Sequence, residues 1–177
     1  MKELKASKLR IWSPTFNEEG EPDPFGQTIF SQGKASYEWW EDGGPCRMAA
    51  GEEGYIQPDI CGRSKSIFFP SARQQNVVIE VINTHPPEID TFFALLNYSR
   101  FNHLVLFYYV AEGALQSQYS KFEVNNGTLS IRAAHYLLGG HVFRNGTEVK
   151  QFKPNDRDWY DHLRETYFGT PLREKHR

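Results

Sequence analysis

The chain has 177 residues, with 20 Lys and Arg against 22 Asp and Glu, a formal net charge of −2. That length suits one domain able to bury roughly 70% of its unfolded surface, so the core needs no metal or disulfide to hold it. The near-neutral balance excludes the uniformly basic surface of a protein that coats nucleic acid and leaves room only for a local basic patch. Aromatic residues make up 15% of the chain, which fits a well-packed fold or a surface that binds through aromatic anchors. No apolar run approaches ~18 residues, and Met1-Lys2-Glu3-Leu4-Lys5 carries no apolar signal core. Neither a membrane span nor export is expected, and the cytoplasm is the default location. The two cysteines, Cys46 and Cys61, lack zinc-ligand spacing and read as a reduced pair of structural thiols.

In chain order, Leu9-Arg10-Ile11-Trp12 reads as a short strand and Asn17 to Pro24 as an exposed loop. Thr28 to Trp40 reads as a weakly patterned helix with Ile29, Phe30, Tyr37 and Trp40 inward, closed by Glu41-Asp42-Gly43-Gly44-Pro45. Tyr55 to Cys61 reads as a strand, and Pro58, which cannot donate to a ladder, sets it at an edge or a bulge. Asn76 to Asn83 is the clearest strand. Alternation puts Val78, Glu80 and Ile82 on one face and Val77, Ile79 and Val81 on the other. Both faces are apolar apart from Glu80, so the strand should be central. A helix carrying Ile89, Phe92, Phe93, Leu95 and Leu96 then leads to a second buried strand, Leu104 to Val110, as a βαβ unit. Asn125-Asn126-Gly127 and Asn145-Gly146 mark two hairpins, the first with Thr128 to Tyr136 as its second strand. Pro154 to Phe168 reads as a terminal helix ended by Gly169. The expectation is an α/β fold in a single domain, 1–177. A mixed central β-sheet is flanked by helices in a core of about 28–112, extended at about 113–177 by the hairpins and the helix.

Glu80 is the chemical oddity. Burying an ionised carboxylate in an apolar strand costs several kcal/mol or more unless a cation, a proton or hydrogen bonds offset it. A structural Glu80 would need a buried partner such as Arg63, Arg73 or Arg100. Asp59 lies on an earlier strand-like segment, and two acids brought together at strand ends suit a divalent metal. A basic set of Arg63, Lys65, Arg73 and Arg100, with Arg132, Arg144 and Lys150 on the hairpins, could face nucleic acid. Trp39, Trp40, Tyr108 and Tyr109 are candidates for stacking on bases.

Pro58-Asp59, a spacer, a hydrophobic strand carrying Glu80, then a helix and a further strand resemble the core of the PD-(D/E)xK nuclease superfamily. The resemblance implies a restriction-endonuclease-like core and a Mg²⁺- or Mn²⁺-dependent endonuclease acting on DNA or RNA. It implies Asp59, Glu80 and the backbone carbonyl of Val81 as metal ligands, with Glu38 or Glu41 assisting from an upstream helix. The family's lysine would stand at position 82, where this chain has Ile82. His85 or Asn83, just past the strand, would then replace it, with Arg100 as a longer-reaching candidate. The same departure fits a catalytically inactive relative that binds nucleic acid or a protein partner. An unrelated immunity or inhibitor protein is a third reading. A homodimer is compatible with each.

Overall fold

The computed structural model describes residues 1–21, 23, 26–42, 47–50, 54–83, 85–110, 119–151 and 155–166. In chain order the elements are α1 (Lys2–Ala6), β1 (Lys8–Ser13), β2 (Gln27–Ser31), β3 (Tyr37–Glu41), β4 (Met48–Ala50), β5 (Gly54–Ile56), β6 (Ile60–Ser64), β7 (Asn76–Ile82), α2 (Ile89–Ser99), β8 (His103–Tyr109), β9 (Ser120–Asn125), β10 (Thr128–Ala133), β11 (His135–Leu138), β12 (His141–Arg144), β13 (Thr147–Val149) and α3 (Asp156–Thr166).

The apolar run of β7 lies inside a seven-stranded mixed sheet of order β13-β12-β11-β8-β7-β6-β3. β7 and β8 are parallel, with Asn76 beside His103 and Glu80 beside Phe107, and α2 forms the crossover between them. Burial on both faces explains the alternation. Val78, Ile82, Val105 and Phe107 pack against Phe92 and Leu95 of α2 and Trp159 and Leu163 of α3. Val77, Ile79, Leu104 and Leu106 pack against Leu9 and Ile11 of β1 and Leu129 and Ile131 of β10. The second face is thus covered by a four-stranded sheet, β2-β1-β10-β9, with β10 parallel to β1. The expected flanking helices are present, but α2 and α3 share one face. The chain passes between the sheets at Ala134, so the strand expected over Thr128 to Tyr136 is cut into β10 and β11.

The helix expected over Thr28 to Trp40 is also corrected. Gln32-Gly33-Lys34 is a turn, Gly33 having φ +58°, and it joins β2 to β3. In β3 Tyr37 and Trp39 are buried while Glu38 and Glu41 are exposed, an alternation of period two. Trp39 pairs across to Gly62, and its ring occupies the space a Cβ there would need. The two Asn-Gly turns form as read: Asn126 and Gly127, and Asn145 and Gly146, all have the positive φ of tight hairpin turns. In α3 the Asn155 side chain accepts from the Asp158 N–H at 2.8 Å, capping the first turn. Tyr167 and Gly169, expected at its end, lie outside the described residues. Cys61 is buried and disulfide-bonded, which overturns the reduced pair. Cys46, the chain's other cysteine, lies outside the described residues.

Candidate metal centre

β6 and β7 run antiparallel, with Cys61 opposite Val78 and Ile60 opposite Ile79. Continuing that register past the end of β6 sets Asp59 opposite Glu80 and Pro58 opposite Val81. Glu80 lies on the helix-covered side of the sheet, with Val78 and Ile82, and Asp59, in the bend just before β6, is near enough for its charge to act on it. Asp59 is exposed and Glu80 half-buried, which leaves the pair open to solvent on one side.

Pro58 explains why the strand ends as it does. The N–H and C=O of one residue in a strand point toward the same neighbour. Val81 turns its N–H toward β6, and the carboxylate of Asp59 accepts it through Oδ2 at 2.7 Å. Pro58, the residue opposite, has no N–H to give to the Val81 carbonyl in return. One proline thereby withholds the ladder donor from that carbonyl, and the next residue supplies a carboxylate beside it.

Burial pushes the carboxyl of Glu80 up to about 7, with the negative charge of Asp59 adding to the rise. Its Oε1 is buried and finds no hydrogen-bond partner among the described residues. No described cation forms an ion pair with it. Arg63, which could have been that partner, lies four residues beyond Asp59 on β6, about 13 Å away along the strand. Two carboxylates and a backbone carbonyl are hard oxygen donors of the kind Mg²⁺ or Mn²⁺ takes. The orphaned Oε1 is the atom such an ion would satisfy.

The remaining expected residues divide. Glu41 pairs with Ile60, so alternation turns it to the other face of the sheet, away from Glu80. Glu38 is on the correct face but pairs with Arg63, toward the far end. Neither comes from a helix. Past the end of β3, Asp42 has φ +52° and its N–H donates to the Asp59 carbonyl at 2.9 Å. It adjoins Glu41 at the strand end, and only the β3–β6 register distinguishes the two. Among the described residues no group of three or more His, Cys, Asp or Glu side chains converges to hold an ion.

Asn83 and His85 are exposed just past the C-terminal end of β7, the end that carries Glu80. Ile82 is buried beside Pro86, Pro87, Phe107 and Tyr109, so the position of the family's lysine serves packing. Arg100 closes α2 at the opposite end and lies against Gly140 in the β11–β12 turn, which removes it as a stand-in for that lysine. Arg63, Lys65 and Arg73 share that far end. An apolar cavity of about 230 Å³, lined by Ile60, Ile79, Val81, Tyr108, Leu129 and Ile131 among others, opens on the other face and does not contain the acids. Tyr109 is buried in the helix-face core, while Tyr108 is half-buried and lines that cavity. No helix among the described residues is long and apolar enough to cross a membrane. No protein-family model, curated protein or solved structure matches the chain.

Proposed function

We propose that the chain is a Mg²⁺- or Mn²⁺-dependent nuclease that hydrolyses phosphodiester bonds of DNA or RNA at the edge between β6 and β7. One observation carries the reading: Glu80 Oε1 is buried and lacks a hydrogen-bond partner among the described residues, beside an Asp59 whose carboxylate is held by the N–H of Val81, the next residue. When bound, the ion would lower the pKa of a coordinated water and stabilise charge on a phosphoryl oxygen. Asp59 would stay fixed by the Val81 N–H and present its second oxygen to the ion. Glu80 would give up its proton to become a ligand, and the Val81 carbonyl would complete the set. Asn83 or His85, at the same strand end, would orient the attacking water in place of a lysine.

The buried Ile82 favours a second reading: a nuclease-like fold without catalysis that binds nucleic acid or a protein partner. Cleavage of mixed DNA and RNA by wild type and Glu80→Ala, in Mn²⁺, Mg²⁺ or EDTA, separates the two. Metal-dependent cutting by wild type alone is expected. A folded wild type that cuts no substrate with either metal would reject the nuclease.

A further inference from the structure

We infer that the end of the seven-stranded sheet remote from Asp59 and Glu80 is a docking surface for single-stranded nucleic acid, built from Phe68, Phe69 and Phe101 with Arg63, Arg73 and Arg100. Phe68 is 80% exposed, Phe69 77% and Phe101 61%. Phe68 and Phe69 meet edge to face at 4.8 Å, leaving ring surface toward solvent. Two separate segments are involved, the β6–β7 loop and the turn after α2, and the topology brings them together. Asn76, at the start of β7, pairs with His103 of β8, and the Asn102 side chain donates to the Pro70 carbonyl at 3.3 Å. Tyr37 holds the loop's other end through its hydroxyl, donating to the Gln75 carbonyl at 2.6 Å. The surface is therefore formed before any ligand arrives.

The two segments carry cations and no acid. Residues 61–76 contain Arg63, Lys65 and Arg73 and no acid, and residues 97–103 contain Arg100 and no acid, in a chain of net charge −2. Among the described residues none of these four cations forms an ion pair. Glu38, opposite Arg63 in the ladder, is an acid at the margin of this surface and forms no salt bridge among the described residues. Three of the four cations are arginines, whose planar fork matches a phosphate with two parallel hydrogen bonds. Exposed phenyl faces suit bases that are already unstacked, which duplexes do not offer. Gln74 and Gln75 lie on the same loop as Phe68 and Phe69, and Asn102 follows Phe101. Their amides can meet base edges but would be costly to bury in lipid. That favours nucleic acid over an anionic membrane. The inference does not depend on the metal centre, which lies about 13 Å along β7.

The test is fluorescence anisotropy of the full chain, in EDTA, with a mixed-sequence single strand and its duplex, beside co-sedimentation with phosphatidylserine vesicles. The single strand should bind more tightly than the duplex, with an affinity that falls with salt by a log–log slope of about −0.7 per phosphate contacted. Phe68→Ser with Phe69→Ser should weaken single-strand binding about tenfold or more and leave the slope unchanged. Arg73→Ser with Arg100→Ser should flatten the slope. All four of these side chains are exposed, so melting temperatures should hold. Binding by a folded wild type that ignores the phenyl substitutions, binding only to vesicles, or no binding to the oligonucleotide would each overturn the inference.

Discussion

Replacing Glu80 by glutamine should stabilise the protein by an amount that grows as pH rises from 4.5 and is complete above about pH 7. The folded carboxyl holds its proton up to about pH 7, against 4.5 for the ordinary group, because it is buried and faces Asp59. The unfolded chain therefore releases this proton first, and stability falls as pH rises from 4.5 to about 7. Each tenfold weakening of the acid corresponds to about 1.4 kcal/mol, so the rise at Glu80 amounts to roughly 3 kcal/mol, and partial solvent access trims it to roughly 2–3. Glutamine keeps the shape and abolishes the ionisation. For a chain of this size the variant should melt about 5–10 °C above wild type at pH 8 in EDTA. At pH 4.5 the two should nearly coincide. Thermal unfolding followed by circular dichroism reads both differences. Adding Mn²⁺ at pH 8 should raise wild type toward the variant and leave the variant unmoved, since only the carboxylate gains by meeting the ion. Equal melting differences at pH 4.5 and pH 8 would refute the burial argument. An intact pH dependence with no response to Mn²⁺ would keep the buried acid and reject the metal.

Ile82→Lys should cost about 3 kcal/mol or more in urea unfolding, because it buries an ammonium beside Phe107 and Tyr109; unchanged stability would show that the site opens to solvent. Gly62→Ala should destabilise by about 1–3 kcal/mol through collision with the Trp39 ring; an unaffected midpoint in urea would mean the ring moves aside freely. His103 is lowered to about 4 and His135 to about 3, both chiefly by burial. Ring signals in NMR should stay those of neutral imidazole at pH 5.5, and protonation of His135 near pH 6.5 would contradict its burial. Cys61 should resist alkylation in the denatured, unreduced chain and react after reduction; labelling without reductant would contradict the disulfide.

Where one short stretch carried its own pattern, the sequence was enough. The two-residue alternation of Asn76 to Asn83 identified β7 and both its faces. Asn-Gly pairs identified hairpin turns because few other residues accept positive φ there. The helical spacing of Trp159 and Leu163 identified the buried side of α3. Glu80 stood out because a carboxylate in an apolar strand needs a physical reason. The rest depended on partners distant in sequence. Tyr37 to Glu41 is a strand because β6 offers it an edge and Gly62 makes room for Trp39. The second face of the central sheet met another sheet rather than helices because β10 returns to pair with β1. Cys61 gave no sign of its bond, and Glu41 and Asp42 were indistinguishable until register turned one away from Glu80. Phe68, Phe69 and Phe101 belong to separate loops, and only the parallel pairing of β7 with β8 makes them one surface. Local pattern fixes what each segment can be, because backbone sterics and hydrophobic periodicity act over a few residues. Which side chains meet is decided by register and layer packing, which no single segment contains.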